Sequence, residues 1–380
     1  MQRYPELPAC SSVGHSISYR ELDTLSANFA SWLQSDSSLS QGDRVAIQMP
    51  NLMQYLVACL GTLRAGMVVV NTNPLYTERE LEHQLNDSGA RLLVLQANVA
   101  ETAANVVSKT GIEKIVLTEI ADLHPMPNRW LLNAAVKYIK KMVPKVVLPN
   151  VVKFNDVLKK GARQTHTPVD IALTDLAMLQ YTGGTTGVAK GAMLSHGNIV
   201  ANVMQLDGFF ETFGIEAEGA VFMQPLPVYH IYAFTVSMYS LRKGAHTLFI
   251  PNPRDLPSVV DAFETYQPTV FCGLNTLFVA LCNDERFQKT AFNNLELTMS
   301  GGMALTQAAA ERWAEVTGCN VYEGYGLTET SPTATSNPGN GRQLGTIGIP
   351  VPQTYVKTVS ESGETLGFDE AGELCIKGPQ

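Results

Sequence analysis

Apolar residues recur at helical spacing at Leu22, Leu25, Phe29, Trp32 and Leu33, behind the stretch Ser18-Tyr19-Arg20-Glu21. That pattern predicts a helix entered through a capping box. The serine hydroxyl and the glutamate carboxylate each satisfy a backbone N–H that a helix start leaves unpaired. Residues 45–47 are a short apolar run ended by Pro50, which predicts a buried strand. Residues 52–63 predict a helix closed by Gly66, and 67–70 a strand. Thr77-Glu78-Arg79-Glu80 is a second capping box, whose helix closes near Gly89. Strands are predicted at 92–95 and 115–117, with a helix at 99–107 between them. These strands are apolar throughout rather than alternating, the mark of a parallel sheet covered on both faces.

The same rhythm returns later, with strands predicted at 221–223, 247–250, 269–272, 295–299 and 320–322. Helices at 257–266 and 305–316 lie between them. After Gly341 the texture changes to Gly, Pro and short β-rich runs at 355–359 and 373–377, the start of a small β subdomain. The expected fold class is α/β: two parallel sheets flanked by helices over 1–340, with the β subdomain over 341–380. Residues 124–165 break the rhythm. A basic amphipathic helix is predicted at 135–148, carrying Lys137, Lys140, Lys141 and Lys145 and stopped by Pro144. The plain reading is a solvated helix face. The sharper reading is contact with an anionic membrane surface, to which each lysine contributes about 1 kcal/mol.

Composition narrows the class. The chain has 380 residues, net charge −8 and 45% hydrophobic residues, enough for at least two folding units with full cores. It contains no apolar run of about eighteen residues and no secretory apolar region near Met1. Six cysteines are scattered without a C-x-x-C pair, which argues against a disulfide framework or a zinc site and for a reducing compartment. The acidic balance gives no support to nucleic-acid binding. A cytoplasmic chain is expected, with peripheral contact to the inner face of the cell membrane and a homodimer both left open.

The most informative segment is Tyr181-Thr182-Gly183-Gly184-Thr185-Thr186-Gly187-Val188-Ala189-Lys190-Gly191. Bare glycine backbone lets N–H groups close around anionic oxygens, threonine hydroxyls add donors, and Lys190 adds a point charge. It is not a Walker A loop, because Ala189 precedes the lysine and Gly191 follows it. A helix signal comes only at Ser195, an N-cap before Asn198. The order is therefore strand, glycine-rich turn, short strand, helix. A mobile Gly/Thr surface loop is the plain alternative for two glycines, but not for the whole pattern.

Three further motifs follow predicted strands, where open α/β sheets bind ligands. They are Pro225-Leu226-Pro227-Val228-Tyr229-His230, Ser300-Gly301-Gly302-Met303, and Tyr322-Glu323-Gly324-Tyr325-Gly326-Leu327-Thr328-Glu329-Thr330. The last offers an aromatic face for a base, a hydroxyl for a phosphate and a carboxylate for Mg²⁺. Alone, His230 reads as a core histidine, Gly301-Gly302 as a helix-entry turn and Tyr325 as core. Together, in this order behind the glycine-rich loop, they do not.

With these motifs in place the sequence resembles the acyl-adenylate-forming superfamily, and within it bacterial long-chain fatty acid–CoA ligases of the FadD type. The phrases YTGGTTGVAKGAMLSHGN, NPLYTERELEHQLNDSGA, PVYHIYAFT, GLNTLF, EGYGLTE and GTIGIPVP carry the resemblance, which covers essentially the whole chain. It implies a two-step reaction. A fatty carboxylate attacks the α-phosphate of MgATP to give acyl-AMP and pyrophosphate, and the thiol of coenzyme A then takes the acyl group. It also implies roles. Thr182, Gly183, Gly184, Thr185, Thr186, Gly187 and Lys190 would hold the phosphates, with Thr185 near the metal. Gly302, Glu323, Gly324 and Tyr325 would line the adenine site. Thr328 would bond the α-phosphate, Glu329 would bind Mg²⁺, and His230 would stand beside the carboxylate or gate the acyl tunnel. Lys190, His230, Thr328 and Glu329 are thus the catalytic candidates.

Two departures stand out. Ala304 follows the Gly-Gly-Met where relatives often have proline, and the sequence stops at Gly378-Pro379-Gln380. The resemblance implies that a mobile C-terminal lid domain with a further catalytic lysine comes later. The expectation is an N-terminal fragment that makes little acyl-CoA alone. A ligase for aryl or medium-chain acids, and a nucleotide-binding module inactive in isolation, are the alternatives.

Overall fold

The computed structural model describes residues 1–183 and 188–380. Both predicted capping boxes form: Ser18 with Glu21 at the head of Tyr19–Asp36, and Thr77 with Glu80 at the head of Glu78–Ser88. The second helix ends at Gly89, whose left-handed φ of 62° lets its N–H turn back to the helix carbonyls. The helix expected at 99–107 is split, with α geometry only over Ala100–Val106 and a tighter turn on each side.

Among the described residues the strands form two large sheets and a hairpin. The first sheet runs in the order Val151–Lys153, Lys114–Thr118, Ala90–Gln96, Arg44–Gln48, Val68–Thr72, Leu176–Thr182, Lys190–Ser195. All its pairs are parallel except the last, the two strands that flank the glycine-rich segment. The second sheet has nine strands. Its parallel centre holds Val321–Gly326, Leu297–Ser300, Val270–Gly273, Val221–Gln224 and His246–Phe249. The N-terminal strand Pro8–Ser12 pairs parallel with His246–Phe249, so the chain's start belongs to the later sheet. At the other edge Ile349–Pro350 pairs with Thr333–Ser336, carrying this sheet past position 341. Tyr355–Val359 and Glu373–Lys377 form a separate two-stranded antiparallel unit over the span read as a β subdomain.

Side-chain alternation on these wholly apolar strands sorts the core into layers. Val45 and Ile47 face a central core shared with Phe222, Val270 and Cys272, while Ala46 and Val70 face the outer side of the first sheet. Met223 and Phe271 face the outer side of the second. Helices Tyr19–Asp36, Met53–Arg64, His196–Glu211 and Ile231–Lys243 send Phe29, Tyr55, Phe210 and Tyr239 into the shared centre. The result is the expected helix–sheet–helix–sheet–helix sandwich.

The helix expected at 135–148 lies elsewhere. An α-helix covers Asn128–Ala134 and widens into a π turn over Ala135–Ile139. Pro127 presets the entry, and Lys141, at a φ of 53°, turns the chain out of helical geometry before Pro144 is reached. Lys137 is thus on the wide turn, and Lys140, Lys141 and Lys145 lie on or beyond its end.

One buried histidine ties the N-terminal strand to the second sheet. His246 is 6% exposed, and its Nε2 lies 2.5 Å from Ser11 Oγ. Burial pushes its pKa down from 6.5 to about 4. Between those two values the unfolded chain holds more protons than the folded one. The histidine's contribution is therefore intact above pH 6.5 and is lost as pH falls toward 4, by up to roughly 3 kcal/mol. Urea unfolding of His246→Gln at pH 7, 6, 5 and 4 should show a shallower loss on the acid side than the parent. Equal slopes would remove His246 from the acid response.

Candidate active site

Four strand ends converge on one cavity of about 470 Å³. Leu176–Thr182 brings Thr182 and Gly183, and Leu297–Ser300 brings Gly301 and Gly302. Val321–Gly326 brings Gly324 and Tyr325 and leads into Thr328 and Glu329. Val221–Gln224 leads into the loop that carries His230. Each is the C-terminal end of a strand, where parallel sheets open their ligand crevice. Leu206, Ile231, Tyr232 and Met299 give one part of the wall an apolar surface. Among the described lining residues Glu329 is the one carboxylate.

The described residues on either side of the glycine-rich segment are held from behind by the helix Glu78–Ser88. His83 Nε2 donates to the Ala189 carbonyl at 2.9 Å, and the Tyr181 hydroxyl donates to Asp87 Oδ2 at 2.5 Å. Gly191 is required here, since a Cβ would stand 2.9 Å from the Tyr181 ring. Ser195 caps the next helix with Asn198, as its position predicts.

The His230 loop is fixed by buried amides. Asn51 Nδ2 donates to the carbonyls of Gln224 (3.0 Å) and Leu226 (2.8 Å), and its Oδ1 accepts from Val228 N–H at 2.8 Å. Gln180 Nε2 donates to the Tyr229 carbonyl at 2.7 Å, and Asn71 Nδ2 in turn donates to Gln180 Oε1 at 2.9 Å. His230 caps Ile231–Lys243, its Nδ1 accepting from Tyr232 N–H at 3.3 Å. Desolvation lowers its pKa, so at neutral pH the ring is uncharged and carries its proton on Nε2. His230 lines both the first cavity and a neighbouring cleft of about 770 Å³, as Gly183 does.

The Thr328–Thr330 turn is braced from two helices. Thr235 Oγ1 donates to the Ser331 carbonyl at 2.8 Å, and Asn202 exchanges two hydrogen bonds with the Thr333 backbone, at 2.8 and 3.1 Å. Thr330 Oγ1 closes the turn against Leu327 N–H at 2.9 Å and the Pro332 carbonyl. These braces leave Thr328 half-buried and Glu329 exposed toward the cavity.

Of the residues singled out in the sequence, Thr182, Gly183, His230, Gly302, Gly324, Tyr325, Thr328 and Glu329 come together around the cavity. Two lie off its lining. Lys190 is exposed at the start of its strand, opposite Thr182. The Glu323 carboxylate accepts from Leu305 N–H at 3.1 Å, holding the loop after Gly302. Gly184, Thr185, Thr186 and Gly187 fall outside the described residues. The supporting amides Asn51, Gln180 and Asn202 escaped the sequence reading. Their one signal is a polar residue beside a buried apolar run, as Gln180 is beside Leu179.

The chain matches the model of the AMP-binding enzyme family over residues 1–380. It is 45% identical over 383 residues to a long-chain-fatty-acid–CoA ligase of Haemophilus influenzae, covering all of this chain and 68% of that protein. ATP-bound MatB from Rhodopseudomonas palustris aligns with a TM-score of 0.80 at 27% identity, over 100% of this chain and 68% of that one. A long-chain-fatty-acid-CoA ligase from Archaeoglobus fulgidus shares the fold, with a TM-score of 0.80 at 23% identity over 100% and 72% of the two chains.

Proposed function

Because the chain belongs to the family of AMP-binding enzymes, we propose that it is a long-chain fatty acid–CoA ligase. The observation that carries the reading is the meeting of four strand-end motifs around one cavity. Thr182 and Gly183, the Tyr325 ring, the Glu329 carboxylate and the His230 imidazole stand together on one lining, which supports the reading. MatB, the relative at 27% identity, holds ATP in its crystal structure.

In this reading the adenine stacks on Tyr325 and the phosphates lie along Thr182 and Gly183. Thr328 Oγ1 donates to the α-phosphate. A fatty carboxylate oxygen attacks the α-phosphorus, the bond to the β-phosphate oxygen breaks, and pyrophosphate leaves. Nε2–H of His230 steadies the incoming carboxylate. The sulfur of coenzyme A then bonds to the acyl carbon, its proton passes to solvent, and AMP leaves with the electrons of the broken acyl–phosphate bond. Catalysis of this kind is positioning and charge neutralisation.

Mg²⁺ fits the donor set. No group of three His, Cys, Asp or Glu gathers among the described residues, and Mg²⁺ usually takes one or two carboxylates together with substrate phosphates. Glu329 supplies that carboxylate, and a bound Mg²⁺ would neutralise charge on the phosphates. The acyl chain runs along the apolar wall of Leu206, Ile231, Tyr232 and Met299.

The test is pyrophosphate release from ATP with a panel of acids. Release should depend on the acid and favour palmitate over octanoate. Each buried methylene adds up to about 0.8 kcal/mol, so eight set a ceiling near ~6 kcal/mol. Ordering the chain takes back part of that, leaving a preference on the order of 10²-fold in competition. ATP turnover without acid would make the chain an NTPase. Preference for octanoate or an aryl acid would overturn the long-chain assignment. No described helix is long and apolar enough to cross a membrane, and the reading includes peripheral contact with the membrane that dissolves the acid.

A further inference from the structure

His83 and Asp87 stand one turn apart on the helix Glu78–Ser88, so both side chains leave the same face. They meet the chain on either side of the glycine-rich segment. His83 Nε2 donates to the Ala189 carbonyl at 2.9 Å, and Asp87 Oδ2 accepts from the Tyr181 hydroxyl at 2.5 Å. Burial and the Asp87 carboxylate push the Tyr181 pKa up, so the phenol keeps its proton and stays a donor. The helix is seated without these two bonds. Leu81 and Leu85 lie in the outer core of the first sheet, and Gln84 Nε2 donates to the Asn71 carbonyl at 2.8 Å. Two polar tethers aimed at one strand pair therefore serve the strands rather than the helix. Those strands carry what the cavity lining does not. Among its described lining residues there is no lysine or arginine, while a triphosphate brings several negative charges. Lys190 follows Ala189 directly and pairs across the strands with Thr182, which lines the cavity. The peptide whose carbonyl His83 holds is the one that joins Ala189 to Lys190, so the imidazole sets the direction in which the lysine leaves the backbone. A lysine is a point charge on a flexible stem, and its worth to a phosphate depends on where the stem starts.

We propose that His83 and Asp87 are positioning residues for the phosphate half of ATP, acting through Lys190 and Thr182. The proposal rests on the nucleotide site of the functional reading and names what holds that site in place. His83 bears on Lys190 through the Ala189 peptide. Asp87 bears on Thr182 through Tyr181, the residue before it. AMP, held by Tyr325 and Thr328 from the second sheet, is indifferent to both tethers.

Titration calorimetry with ATP and with AMP, each in excess Mg²⁺, is the test. His83→Ala should weaken ATP about fivefold, the worth of one neutral hydrogen bond. Tyr181→Phe should weaken it about tenfold, since its acceptor is a carboxylate. Both should leave AMP within about twofold of the parent. His83→Gln and Asp87→Asn, which keep a donor and an acceptor at similar reach, should stay near the parent for ATP as well. Urea midpoints should hold throughout, because the helix keeps Leu81, Gln84 and Leu85. In a Lys190→Ala background His83→Ala should cost ATP nothing further, since the histidine acts through that lysine. Equal losses for ATP and AMP overturn the proposal, as does a His83→Ala loss that is the same with and without Lys190. A parent that gains no affinity from the two added phosphates overturns it too. ATP turnover without acid would overturn the functional reading and leave these affinities standing, so the two can fail separately.

Discussion

Replacing Glu329 by Gln should lower acid-dependent acyl-AMP formation by about 10²–10³-fold, the usual loss when one preorganised electrostatic partner of a transition state is removed. The carboxylate is exposed at the cavity and makes no ion pair among the described residues, so the fold does not depend on it. Glutamine keeps the shape and removes the charge. The variant should therefore unfold at the parent's urea midpoint and bind AMP without metal as the parent does. Its demand for Mg²⁺ should rise. ATP–pyrophosphate exchange over a Mg²⁺ series measures both effects. An unchanged rate at limiting Mg²⁺ would take Glu329 out of the metal role.

Gly326→Ala should cost about 3 kcal/mol and disable the site together, at the upper end of what overpacking usually costs. A Cβ at this position would stand 1.9 Å from the Pro332 carbonyl oxygen and 2.6 Å from its carbon. The three nearest atoms all belong to the Pro332–Thr333 backbone, so no flexible side chain can give way. The Leu327 N–H to Pro332 carbonyl bond at 3.1 Å would be forced apart, and the turn bearing Thr328 and Glu329 hangs from it. Gly302→Ala is the contrasting case. It meets no atom within 4 Å but sits at a φ of 82°, so it carries only the left-handed strain of about 1–2 kcal/mol. Urea midpoints and AMP binding of the two variants should separate by these amounts. Equal penalties would mean that backbone relaxes around Gly326.

The ordering of helices and strands was legible because it is written in local patterns. Ser18 and Glu21, or Thr77 and Glu80, sit at the spacing that satisfies a helix start, and the tertiary structure had no reason to override them. The strand ends with their glycines were legible for the same reason, since short loops after buried strands must be polar or small. The helix at 128–139 was placed wrongly because a widened turn has no fixed apolar period to read.

By itself the sequence determined the two-sheet α/β class, the strands on either side of the glycine-rich segment and the motifs that meet at the cavity. Each depends on contacts within about ten residues, or on the plain rule that apolar strands need covering. Only the tertiary structure decided which strands are neighbours. It drew Pro8–Ser12 to the side of His246–Phe249, across more than two hundred residues, because register and adjacency arise from surface matched at long range. It also decided that Glu323 holds a loop while Gly324 and Tyr325 face the cavity. Asn51 and Gln180 acquired their roles in the same way, as amides that satisfy carbonyls of a loop far along the chain. A buried carbonyl must find a donor somewhere, and nothing local to either end says where.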